Sequence, residues 1–326
     1  MKNQITTIAL SGLTICGLFA TQTTYAASNA NEHAPIGVMG DHNHNQGEWM
    51  IAYRYNRMNM KNKLLDSGDI LGDAMMAPSK MKKEMHMFGM MYGLTDTLTV
   101  VANIPYTKVT MDQVTRMGPD FTLQSKGVGD VKIAGLYTLY EKERSKLIFN
   151  AGLSLPTGSI NAADDTPAGS DQRLPYTMQL GSGTYDVLSK LTYTYGEDNW
   201  AWGSQLNAIF RTGENDNGYR LGNQYGFSIW ASRNVTDYAS ISFCIDGTKS
   251  DDVNVANLLN MAPMARNNLN GGERVDLLVG ANFIVPNGPL EGNRFAFEFG
   301  KPIHQERPGS PLEADYRLTV GWQLAF

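Results

Sequence analysis

Apolar and polar residues alternate with a period of two along most of this chain. The last eleven positions show it most plainly: Tyr316, Leu318, Val320, Trp322, Leu324 and Phe326 alternate with Arg317, Thr319, Gly321, Gln323 and Ala325. A two-residue period puts one set on one face of a β-strand and the other set on the opposite face. The same rhythm predicts eleven earlier strands. Strands one to three lie near Glu48–Asn59, Lys83–Gly93 and Leu98–Lys108, strands four to six near Val131–Leu139, Leu147–Leu155 and Tyr185–Tyr195. Strands seven to nine lie near Trp200–Phe210, Tyr225–Ala231 and Ala239–Asp246, with ten and eleven near Val275–Phe283 and Arg294–Phe299. No helical period stands out.

The connectors alternate as well. Those after strands two, four, six, eight and ten are tight, such as Leu94–Thr97 and Gly196–Asn199. Those after the odd strands are mostly long: Lys61–Met81, Val109–Gly127, Thr157–Ser182, Ser250–Gly272 and Pro302–Asp315. Short turns at one end and long loops at the other are the rhythm of an all-β, twelve-stranded antiparallel transmembrane β-barrel. Trp49, Tyr92, Tyr106, Tyr193, Trp200 and Trp322 fall near strand ends, where aromatic girdles belong. A soluble sandwich also alternates, but gives no reason for aromatic strand ends.

The rest of the sequence fits an exported barrel. Lys2, an uncharged run from Ile5 to Phe19 and Thr24-Tyr25-Ala26 read as a signal peptide, residues 1–26, cleaved after Ala26 by the general secretory route. Residues 27–46 form a polar leader, periplasmic or tucked into the barrel mouth, and residues 47–326 form the barrel. A terminal Phe326 on the apolar face with Tyr316 and Trp322 is expected to serve as an assembly signal for the barrel-assembly machinery. Outer-membrane lipid, lipopolysaccharide and a small-molecule solute are the other expected partners, and the barrel is expected to be a monomer. The net charge is −5. No Lys/Arg run suggests nucleic acid. Only Cys244 remains after cleavage, so no disulfide framework exists.

The polar face predicts a mixed lumen: Arg54, Asn103, Lys132, Asp186, Lys190, Arg211, Asp276, Arg294, Glu298 and Arg317. Opposed charges there are expected to brace the wall across strands. Methionine is unusually concentrated, with eleven of the 17 between Met39 and Met91. Met50, Met58, Met60, Met85, Met87 and Met91 fall on the lumen face of strands one and two, and thioethers suit Cu(I). His33, Asp41, His42 and His44 in the leader offer imidazoles and a carboxylate for a harder ion. Copper is the one cofactor this pattern would suit, and methionine as a flexible gap-filler explains the same residues without it. Catalysis on the lipid face would require a serine beside His86, and none of its predicted neighbours is one, so no catalytic residues are assigned.

Several stretches resemble a known family. They are His33-Ala-Pro-Ile-Gly-Val-Met-Gly-Asp-His-Asn-His44, Gly47-Glu-Trp-Met50, Tyr53-Arg-Tyr55, Gly127-Val-Gly-Asp130, Leu155-Pro-Thr-Gly158 and Met178-Gln-Leu-Gly-Ser-Gly-Thr-Tyr-Asp186. Together they resemble the outer-membrane transporters named for the meta-pathway of phenol degradation, in a branch with a His/Met-rich start. The resemblance implies passage of small organic or aromatic molecules. The alternatives are a metal-linked barrel using the His/Met-rich region, a structural or adhesive barrel, and an outer-membrane enzyme.

Overall fold

The computed structural model describes residues 30–31, 33–65, 70–71, 75–167, 169–255, 271–308 and 310–326. The expected signal peptide lies outside these residues, as do positions 27–29 of the leader and 256–270 of a long loop. Twelve antiparallel strands close into one barrel. They are β1 (Trp49–Asn62), β2 (Met76–Thr95), β3 (Leu98–Thr115), β4 (Phe121–Val128 and Val131–Lys142), β5 (Ser145–Leu155) and β6 (Asp186–Gly196). The second half comprises β7 (Trp200–Arg211), β8 (Gln224–Thr236), β9 (Ala239–Ser250), β10 (Gly272–Ile284), β11 (Arg294–Glu306) and β12 (Leu312–Ala325). Closure runs through β1 and β12, which pair from Met50 opposite Ala325 to Asn62 opposite Leu312. Beyond the last ladder rung, Trp49 and Phe326 exchange both backbone hydrogen bonds at 2.8 Å. A closed ladder leaves no sheet edge unpaired, the condition for strands to cross a hydrocarbon layer.

The wall has two unlike faces. Phe88, Ile104, Leu206, Phe243, Val279 and Phe297 point outward and are exposed, while Arg54, Thr99, Asn150, Thr192, Asp276 and Gln323 point inward and are buried. Apolar outside and polar inside inverts a soluble protein and matches a barrel in lipid. At the end carrying the termini and tight turns, here the inner end, aromatic rings form a belt. Trp49 packs on Tyr92 with centroids 4.5 Å apart, and Trp202 lies 5.4 Å from Tyr193. Arg233 stacks over Trp200 at 5.1 Å, and the Trp322 indole donates to Asn293 at 2.6 Å.

At the outer end the strands outrun their expected lengths. Segments expected as loops are largely strand: β2 begins at Met76, β3 continues to Thr115, and β4 starts at Phe121. The cause is an apolar cluster inside the outer mouth. Met81, Val109, Met111, Leu123 and Leu312 gather there around Leu174 and Met178 of the long loop joining β5 to β6. Burial of that cluster rewards continued pairing beyond the bilayer. The loop carries a small hairpin (Ala163–Thr166 with Gly169–Arg173) and one 3-10 turn, Tyr176–Met178, which seats Met178 in the mouth.

Candidate functional site

The inside of the barrel is the candidate site, and the leader occupies its inner half. Residues 30–48 enter from the inner end, reach the lumen wall and return to β1 without regular secondary structure. Wall side chains hold the leader chiefly by its carbonyls. Ser240 donates to the Ala30 oxygen at 3.0 Å, Arg294 to Ala34 at 2.7 Å, and Gln205 and Lys190 to Met39 at 3.0 and 3.3 Å. On the return arm the Asn43 amide donates to the Leu136 carbonyl at 2.9 Å, and the His44 N–H donates to the Thr99 hydroxyl at 2.8 Å.

The leader also alternates. Ala34 and Val38 pack on an apolar patch of the wall made by Trp230, Cys244 and Leu278. Ile36, 2% exposed, lies over Gly321, where any side chain would collide with it. Gly40, with φ +78°, makes the reversal, a left-handed backbone that favours glycine. Thus the inserted leader folds back on itself, and its greasy residues meet one of several apolar patches in the lumen.

Between the two arms lies a histidine cluster. Candidate ligand atoms of His33, Asp41 and His42 all lie within 4.8 Å of one another. The His42 ring meets His33 at 5.0 Å and His44 at 5.1 Å between centroids, edge to face in both cases. Asp41 is buried: its Oδ2 accepts from the Ala34 N–H at 2.9 Å, and its Oδ1 lies 3.0 Å from His42 Nδ1. Glu48 Oε1 lies 3.3 Å from His44 Nδ1. Burial, then the nearby Arg294 cation, pulls the His33 imidazole well below its ordinary value. Burial works against the Asp41 carboxylate, yet the charge and hydrogen bond of His42 outweigh it and hold Asp41 well below the usual range.

Chambers follow one another along the axis. The innermost, about 510 Å³, opens at the inner mouth and is lined by His33, Asp41, His42, His44, Glu48 and Met50. A second, about 210 Å³, lies between the plug's Met39 and a wall of Met50, Met87, Met91 and Leu136. Two outer chambers, about 320 and 400 Å³, sit beneath the outer mouth. Lys83, Lys132, Lys249, Arg211, Arg274 and Arg307 line these outer two, against Asp130, Asp251 and Glu273. Ion pairs brace the wall between: Arg211 with Asp186, Arg274 with Asp276 at 3.1 Å, and Arg317 with Asp246 at 2.8 Å.

The separated glycine-rich stretches of the sequence meet in one knot. Asp130, at the bend of β4, accepts from the N–H of Gly158 at 3.0 Å and of Ser182 at 2.8 Å. Thr157 donates to the Gly129 carbonyl at 2.8 Å, and Ser182 Oγ bridges Asp130 and Asp186. The knot ties both ends of the β5–β6 loop to the wall and so fixes the loop that narrows the outer mouth.

This architecture has relatives. The profile of a family described as "Putative MetA-pathway of phenol degradation" matches residues 80–299. The chain belongs to this family. Among solved structures, an outer membrane channel from Pseudomonas putida F1 is similar, with a TM-score of 0.61 at 16% identity, covering 88% of this chain and 97% of the other. The transport unit of the autotransporter AIDA-I from Escherichia coli is also similar, with a TM-score of 0.50 at 10% identity, covering 90% and 93%. At such identities the likeness is one of fold. None of the functionally curated proteins matches the sequence.

In this family member, the ten predicted lumen residues all face inward, and most brace one another or hold the leader. The leader residues His33, Asp41, His42 and His44 converge. The methionines do not. Met50, Met87 and Met91 share the second chamber, whereas Met58 and Met60 line one outer chamber and Met85 the other. Ten residues of strand separate Met50 from Met60, roughly 33 Å at ~3.3 Å per residue, so the row cannot form one thioether site. Met58 sulfur instead accepts from Arg274 at 3.4 Å. His86 lies on the outer face and hydrogen-bonds Tyr53 at 2.7 Å. Sequence reasoning missed Glu48 and Thr99. The His44/Glu48 spacing was visible, but Thr99 is an ordinary strand residue until the leader is placed against it.

Proposed function

We propose that the protein is an outer-membrane channel for small organic solutes, and that residues 30–48 are its resting plug. The observation that carries this reading is the axial row of chambers inside a closed, lipid-facing wall, interrupted by the inserted leader. Residues 30–46 of the plug join no β-ladder, while Gly47 and Glu48 pair with Gly93 and lead into β1. Its anchors are single hydrogen bonds, worth on the order of 1 kcal/mol each net and about 1.5–3 kcal/mol where Arg294 or Lys190 is the donor, plus a small apolar contact. Such a segment belongs to the low-stability end of a structure. Its removal would join the inner and outer chambers into one path. The family's link to phenol degradation favours small aromatic solutes, and Lys83, Lys132, Lys249 and Arg307, the outer-chamber cations outside the bracing ion pairs, favour anionic ones. Export by the secretory route, insertion by the assembly machinery through Phe326, and a monomeric state complete the proposal.

The test is flux into vesicles holding the purified, folded barrel, with arabinose and benzoate as solutes. The expected result is influx of both above protein-free vesicles, with benzoate favoured. Absence of influx from both the full mature chain and a chain lacking residues 30–46 would overturn the channel reading.

A further inference from the structure

We propose that the plug carries a transition-metal site built from His33 Nδ1, His42 Nε2 and His44 Nε2, oriented by Asp41 and Glu48. The occupant is a divalent ion that prefers imidazole, Cu(II) or Zn(II).

The argument rests on which nitrogens are already engaged. Each histidine of the return arm has its Nδ1 beside a carboxylate: His42 beside Asp41 at 3.0 Å and His44 beside Glu48 at 3.3 Å. Each then presents its Nε2 without a hydrogen-bond partner although that atom is buried, and His33 Nδ1 is in the same condition. Three buried, unpartnered imidazole nitrogens in one cluster are costly when empty. A carboxylate gripping the far ring nitrogen is the outer-shell arrangement that fixes metal-binding histidines and raises their basicity. Asp41 and Glu48 are therefore positioning residues, and their two negative charges offset the ion.

Ring spacing agrees. Two imidazoles bound to one tetrahedral ion at roughly 2.0–2.1 Å set their centroids about 5 Å apart. The observed separations are 5.0 Å for His33 with His42 and 5.1 Å for His42 with His44; the ligand atoms already drawn together are those of His33, Asp41 and His42, so His44 joins through its contact with His42 and closes on the ion by a rotation of its ring. Three protein ligands leave a fourth position for water, and the innermost chamber opens beside the cluster. The methionines lie outside this donor set. His33 stands on the entering arm and His42 and His44 on the returning arm, so the ion would staple the hairpin shut. An exposed group, Glu273 with His304 and Glu306, offers a rival set at the outer end, but its atoms face solvent and need no ion for satisfaction.

The experiment uses the mature barrel, folded in detergent, without a histidine tag. Binding of Cu(II) and of Zn(II) is measured separately by competition with a chelator of known affinity. Heat-modifiable migration on gels verifies the fold of every variant. The expected result is one equivalent per chain, weakened at least tenfold by H33Q, H42Q or H44Q and unaffected by H304Q. Asp41→Asn should weaken binding about 10- to 100-fold while leaving both the nitrogen hyperfine pattern and the g∥ and copper A∥ values of bound Cu(II) unchanged; loss of an oxygen ligand would shift g∥ and A∥. No stoichiometric binding of either ion, equal binding by the triple His→Gln variant, or loss on H304Q would overturn the proposal.

Discussion

Arg294→Met should loosen the plug, and Cys244 should report it. Arg294 is buried and spends its guanidinium on the plug's Ala34 carbonyl at 2.7 Å, on Asn282 at 2.6 Å and on Gln323. A charged donor to a buried carbonyl contributes about 1.5–3 kcal/mol. Methionine keeps the length of the side chain but offers no donor, so the docked plug loses that amount relative to the open state. At 1.4 kcal/mol per tenfold, the open population rises about 10- to 150-fold. Cys244 is 4% exposed under Ala34 and Val38, and it is the only cysteine beyond Cys16. It sits on β9, two strands from Arg294, so the substitution does not uncover it directly. When the plug moves faster than a maleimide reacts, the labelling rate is proportional to the open population. The assay is Cys244 labelling over time in the folded barrel, with denatured protein as the fully reactive control. An increase of tenfold or more supports the docking account. A rate within twofold of wild type in a folded Arg294→Met barrel would refute it.

Other outcomes follow from the same geometry. Val320→Arg puts a cation against lipid at a cost of about 2–4 kcal/mol near mid-depth, read as a lower denaturation midpoint in detergent or vesicles. Gln323→Arg, on the lumen face, should also lower the denaturation midpoint, because it sets a second buried cation against Arg294 where an amide now accepts, and salt should rescue it little because buried charges are poorly screened. A protease tag placed after Gly118, in the turn between β3 and β4, should be cut on whole cells, whereas one after Asp198, in the tight β6–β7 turn, should stay protected; the reverse pattern would invert the topology. Replacing Met58, Met60, Met85 and Met87 together by Leu nearly conserves volume, so folding and metal affinity should match wild type; a loss of affinity would return the thioethers to the site.

The barrel was legible in the sequence because each face of each strand meets one solvent, lipid or lumen, along its whole length. Val320 and Gln323 announce their faces without any partner being known. The outer extensions were not legible, since Val109 and Met111 sit among polar residues and are buried by Leu174 and Met178 of a distant loop together with Met81, Leu123 and Leu312 of other strands. The plug lay between these cases. Ala34, Ile36 and Val38 carry the same two-residue period as the wall, yet what they pack on is contributed by β8, β9, β10 and β12. Similarly, Gly129, Asp130, Thr157 and Ser182 stood out as family text, but their shared purpose exists only where the chain brings them together.

The central claim, a channel kept shut by its own leader, is tested most directly by single-channel recording of the mature chain against one lacking residues 30–46. Both must first migrate as folded, heat-modifiable barrels. The account predicts a mostly closed full-length chain with rare openings and a truncated chain that conducts steadily. A truncated barrel that conducts no more than the full chain would contradict it.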